Sequence, residues 1–106
     1  MAYTKIPTKI KVGGQTLDVK HVERCSDNSA GEMCLASGSI EIAEKFDRDS
    51  VQVYSSKVVT FYHEVTHAIL DTMGYTELSK DERFVCCFSA FLADAMDKAF
   101  FLEDDE

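Results

Sequence analysis

The chain has 106 residues and a mass of 11.9 kDa, enough for one hydrophobic core and not for two. Nineteen acidic residues against eleven basic ones give a formal charge of -8, which repels a phosphate backbone and an anionic membrane surface alike. Neither nucleic acid nor a membrane is therefore an expected partner.

The amino terminus lacks the apolar run of a secretory signal, and no segment approaches the roughly 18–20 apolar residues of a bilayer span. A soluble, cytoplasmic protein is expected. Cys25, Cys34, Cys86 and Cys87 form no CxxC pair. They are expected to be buried or half-buried thiols rather than disulfides or a structural zinc site.

In chain order, Ile6, Ile10 and Val12 alternate up to Gly13 and Gly14, a hairpin signal, and Leu17 and Val19 continue the alternation on the far side. Pro7 holds the first strand to an edge or delays its start. His21 sits among Lys20, Glu23 and Arg24 at a solvated strand end and is not expected to be a ligand. Residues 24–32 are polar and turn-rich, which predicts a loop. Residues 33–44 predict two short strands or one bent strand, broken at Ser37 and Gly38, with Ile40 and Ile42 alternating against Glu41. An edge strand here, ahead of the helix that follows, suits pairing with an extended peptide.

Residues 45–50 form a charged connection in which Asp49 or Ser50 suits a helix cap, and residues 51–54 suit a strand or a first helical turn. A helix over about 55–73 follows, with an apolar face of Val58, Phe61 or Tyr62, Val65, Ile69 and Met73, and with Gly74 as its stop. Ser79 and Glu82 have the spacing of a capping box. The second helix, over about 80–101, carries a stripe of Val85, Phe88, Leu92, Met96 and Ala99 flanked by Phe84, Phe91 and Phe100, expected as core. Residues 103–106 make a frayed acidic tail. Strands over about 3–44 followed by helices predict one α+β domain, a small and mainly antiparallel sheet packed against two long helices.

The first helix carries the chemistry. His63, Glu64 and His67 read HExxH. At about 100° per residue, Glu64 and His67 point about 100° and 40° from His63, so the three share a face. Two imidazoles one turn apart can hold a metal ion, and Glu64 beside them can take a proton from its water. A catalytic zinc also needs a third protein ligand and an open position. Asp71 has a short side chain one turn further along, which leaves Glu82 or Asp81 at the start of the next helix. Tyr54, Tyr62 and Tyr75 are the tyrosines available to stabilise an oxyanion, and the spacing does not choose among them.

The run HEVTHAIL, followed by DTMGY and then DERFVCCFSAFL, resembles the small metallopeptidase-like proteins of phages and bacteria related to the ImmA/IrrE family, which are gluzincin-like. That family carries ExxAxxFA on its second helix. Glu82 through Ser89 match it, with Val85 for the first Ala and Ser89 for the last. The resemblance covers about residues 40–100 and is specific only in the two helices. It implies His63, His67 and Glu82 as ligands of a zinc ion, Glu64 as the general base, and hydrolysis of a peptide bond in a protein or peptide substrate. A cap and a ligand compete for the same lone pairs of Glu82, so one role should dominate. The alternative is a metal-binding protein-interaction module of the same fold without turnover.

Overall fold

The computed structural model describes residues 5–97, and the acidic tail and the end of the second predicted helix lie outside them. Strands β1 (Lys9–Val12) and β2 (Gln15–Val22) form the expected hairpin. Gly13 and Gly14 turn it with φ of 58° and 88°, backbone that glycine adopts without a Cβ clash. Strands β3 (Gly31–Cys34) and β4 (Ser39–Ala43) form a second hairpin, so the interrupted stretch is two strands.

The second hairpin docks by its later strand. β4 pairs in parallel with β2, giving the order β1-β2-β4-β3, and β3 becomes the edge. The sheet is mainly antiparallel, with this one parallel pair. The stretch expected as a charged connection forms a small ladder instead, β5 (Lys45–Phe46) against β6 (Ser50–Val51).

Helix α1 (Tyr54–Met73) lies across the sheet. Neither Asp49 nor Ser50 caps it; Val53 is the N-cap residue and makes no side-chain cap bond. Buried Gln52 ties the helix start down from the side: its Nε2 donates to the carbonyls of Ala30 and Ala43, and its Oε1 accepts from Ser56 and Thr60. At the other end Gly74, in the left-handed region at φ 87°, donates its N–H to Asp71 and stops the helix as predicted.

Alternation in the strands and three-four spacing in the helix meet in one core. Leu17, Val19, Ile40 and Ile42 from the sheet pack on Phe61, Val65 and Ala68 of α1. Each large aliphatic side chain buried there contributes about 1.5–3 kcal/mol.

A short helix, α2 (Thr76–Ser79), precedes α3 (Glu82–Asp97). α3 packs mainly on α1. This corrects the expectation that its whole apolar stripe is core. Only Val85, Ser89 and Ala93 are buried, at steps of four, while Phe88 and Met96 are exposed and Phe91 is 77% exposed. As the outer layer, α3 is covered on one side, and the small Ser89 and Ala93 face that contact. Ala99 and Phe100 lie outside the described residues. No helix among the described residues is long and apolar enough to cross a membrane.

Candidate metal centre

α1 runs unbroken through His63, Glu64 and His67, so the three side chains project as helix geometry dictates. The imidazole Nε2 atoms of His63 and His67 lie 3.2 Å apart. The Gly74 turn and α2 reverse the chain, and α3 opens with Glu82 over the two rings. Its Oε1 is 3.3 Å from His63 Nε2, and its Oε2 is 3.4 Å from His67 Nε2. Ligand atoms bonded to one zinc at about 2.0–2.1 Å and separated by a tetrahedral angle lie about 3.3–3.4 Å apart. The two imidazole nitrogens stand at about that spacing, each with its own oxygen of the Glu82 carboxylate at a similar distance, and the group, with one ligand atom from each residue within 4.8 Å of the others, could hold a metal ion.

Helix capping leaves Glu82 free. The Phe84 backbone N–H donates to Asp81 Oδ1 at 3.1 Å, so Asp81, not Ser79, caps α3. The expected capping box does not form, because Ser79 lies two residues too early to cap a helix that begins at Glu82. Its hydroxyl instead meets His67 Nδ1 at 2.9 Å. Cys86, one turn beyond Glu82, brings its Sγ to 3.9 Å from His63 Nδ1.

Glu64 is 7% exposed, and burial pushes its carboxyl up to about 8, with the charges of Glu82, Asp27 and Glu32 adding to the effect. His63 moves the other way. Burial and the neighbouring His67 lower its pKa against the pull of Glu82, which favours the neutral, metal-binding imidazole. Glu64, His67 and Glu82 line one cleft of about 620 Å³ together with Met33, Asp71, Thr76, Ser79 and Lys80. Asp71 faces this cleft but stands outside the group of His63, His67 and Glu82.

Gly31, at the start of β3, lets the edge strand touch the helix beside Glu64. A Cβ there would collide with the Thr60 methyl group and lie 3.2 Å from Glu64 Oε2. The sequence held no signal for this contact, which joins residues far apart in the chain. The tyrosines are placed elsewhere. Tyr62 is half-buried in an edge-on pair with Phe61, the Tyr54 hydroxyl accepts from the Ile6 N–H, and Tyr75 lines a separate hollow beside α2. His21 is exposed on β2.

The cysteines depart from expectation. All four are free thiols, but only Cys25 is buried, and Cys34, Cys86 and Cys87 are exposed. Cys25 also meets Glu32 and Glu41 in a second group of potential ligands. Burial and those acids push its thiol up to about 11, which keeps it protonated and a poor ligand at neutral pH.

No family model, curated protein or solved structure matches this chain, and its functional reading rests on the geometry of the site.

Proposed function

We propose that the chain is a zinc-dependent metallopeptidase-like protein that hydrolyses a peptide bond, with His63, His67 and Glu82 as ligands and Glu64 as the general base. The carrying observation is that the His63 and His67 Nε2 atoms lie 3.2 Å apart, each faced by one oxygen of the Glu82 carboxylate at 3.3 and 3.4 Å, with Glu64 buried in the cleft that His67 and Glu82 also line. Two imidazoles and one carboxylate form a donor set of the kind found at catalytic zinc, where a fourth position stays open. A zinc ion held there lowers the pKa of water and polarises a carbonyl oxygen.

The chain's own groups account for the remaining work. Glu64 takes a proton from the attacking water and returns it to the leaving amine. Its dry surroundings strengthen that exchange, because a buried carboxylate is a stronger base than a solvated one. The β3 edge offers backbone N–H and C=O groups to an extended peptide, and Met33 projects from it into the cleft. Lys80 and Thr76 are the cleft donors available to the developing oxyanion. Free cysteines, three of them exposed, suit a reducing cytoplasm.

Exposed Phe88 and Phe91 on the outer face of α3 favour a second reading, a metal-stabilised module that binds a protein partner without turnover. Zinc content and a comparison of Glu64→Gln with the parent on a peptide library separate these readings. Stoichiometric zinc with cleavage that the Gln variant loses supports the peptidase; zinc without cleavage in either protein supports the module. A parent that takes up no zinc overturns both.

A further inference from the structure

We propose that Ser79 is a positioning residue for His67: its hydroxyl orients the imidazole and accepts the Nδ1–H when Nε2 is given to a metal. The inference rests on the metal-centre reading above. Ser79 Oγ stands 2.9 Å from His67 Nδ1, and the residue is 4% exposed while Leu78 and Lys80 on either side are exposed. Burying a hydroxyl requires a partner, and His67 is the one that the geometry supplies.

The backbone holds this hydroxyl in place. Gly74 turns the chain out of α1, the Ser79 N–H donates to the Tyr75 carbonyl at 3.0 Å, and the Lys80 N–H donates to the Thr76 carbonyl at 3.1 Å. α2 is therefore a one-turn brace that aims Ser79 back at the helix it has just left. Because Asp81 caps α3, no backbone amide competes for the Ser79 hydroxyl.

A neutral imidazole carries one N–H. On Nε2 it would point at His63 Nε2, 3.2 Å away, and block the position a metal needs; on Nδ1 it is met by Ser79. A hydroxyl can accept from Nδ1–H or donate to bare Nδ1, so Ser79 keeps the ring oriented whether or not Nε2 is engaged. Outer partners of this kind fix tautomer and ring angle, and losing one costs about 10–100-fold in metal affinity.

The test measures zinc affinity of the full chain by competition with a chromophoric chelator, in the parent and in Ser79→Ala, and follows the His67 Nδ1–H by NMR in the zinc-loaded parent. Expected are a weakening of about 10–100-fold in the variant and a slowly exchanging Nδ1–H in the parent that exchanges fast in the variant. Zinc binding by the parent with equal affinity in Ser79→Ala overturns the positioning role and leaves the metal centre standing. A parent that binds no zinc overturns both. If Ser79→Ala fails to fold, the parent alone decides: a protected Nδ1–H supports the role, and one in free exchange overturns it.

Discussion

The Phe84 backbone N–H donates to the Asp81 carboxylate at 3.1 Å, and this bond decides which of two adjacent acids is free to face the histidines. Asp81 is occupied by the helix end. Glu82, 62% exposed at its side chain, has no capping duty and turns both oxygens toward His63 and His67.

Separate effects are therefore expected from the two acids. Asp81→Ala should cost about 1 kcal/mol of stability, the usual value of an N-cap, while leaving zinc affinity within a few-fold of the parent. Glu82→Ala should barely alter stability in the metal-free protein but weaken zinc by more than about 100-fold, beyond the effect of an outer partner. Denaturant titration and chelator competition on both variants check this. The reverse pattern would transfer the ligand role to Asp81.

Gly31 offers a prediction that depends on a single contact. In Gly31→Ala the new methyl group meets the Thr60 methyl and crowds Glu64 Oε2, so the edge strand must move off α1. A cost of about 1–3 kcal/mol is expected, a fall in Tm of several degrees for a domain of this size. Thr60→Ser removes the clashing methyl but keeps the hydroxyl that donates to Gln52 Oε1. The double variant should therefore recover most of the loss, and simple additivity in thermal unfolding would rule out the contact as its origin.

These contacts show what the amino-acid pattern could and could not carry. Period-two alternation at Leu17, Val19, Ile40 and Ile42, and three-four spacing over Val58, Phe61 and Val65, reported the α+β layering because burial imposes those periods directly, whereas Ile69 and Met73, expected on the same helix face, are exposed. Gly74 as the stop of α1 was legible for the same local reason. The parallel β2–β4 pair was not, since alternation says which face is buried and nothing about which strand lies beside which. The α3 stripe misled because an amphipathic pattern records potential burial, and a helix on the outside of a small domain has one neighbour to cover it. Within the site, helix periodicity gave His63, Glu64 and His67 a common face. The roles of Asp81 and Ser79 turned on a helix starting at Glu82, and a two-residue uncertainty in that boundary reassigns both side chains.

Gln52 should be among the costliest polar residues to remove. Its amide bonds two carbonyls, at 3.2 and 2.7 Å, and two hydroxyls, at 2.9 and 2.6 Å, joining the segment before β3 and the end of β4 to the first turns of α1. Gln52→Ala leaves those groups without their partner in a buried place, and a loss of about 2–4 kcal/mol is expected. Gln52→Glu should destabilise as well, because an ionised carboxylate keeps the hydroxyl donors but confronts the Ala30 and Ala43 carbonyls with a third acceptor. Chemical unfolding of both variants measures this; a loss below about 0.5 kcal/mol in either would show that the Gln52 network does not hold the helix to the sheet.

The thiols should react in an order set by burial and charge. Cys34 is exposed, and hydrogen bonds from Ser37 lower its pKa, so it should be alkylated first near neutral pH. Cys86 is exposed too, but partial burial and the Glu82 charge raise its pKa, placing it behind Cys34. Cys25, buried and pushed up to about 11, should stay unmodified until the protein unfolds. Timed iodoacetamide labelling with peptide mass spectrometry reads the order directly, and early modification of Cys25 in the folded protein would contradict it.

Glu64 connects stability to function through its sign. In the metal-free protein its carboxyl sits near 8 against an ordinary 4.5, so the folded state holds that proton more tightly than the unfolded chain. The associated stabilisation is complete below the ordinary value of 4.5 and is lost as the pH climbs toward 8. Glu64→Gln carries no titrating proton at this position. Relative to the parent it should be nearly equal in stability at about pH 4.5 and more stable by about 1–3 kcal/mol at about pH 8.5, where the parent buries an ionised carboxylate. The lowered pKa of His63 acts oppositely, its contribution being lost as the pH falls, but both proteins contain it and it largely cancels in the difference. Denaturant titrations in excess chelator at the two pH values supply the four free energies required. A difference that does not change with pH would mean that Glu64 is not desolvated. A gain at high pH, together with retained zinc and lost turnover, would identify a side chain kept for chemistry at the expense of the fold.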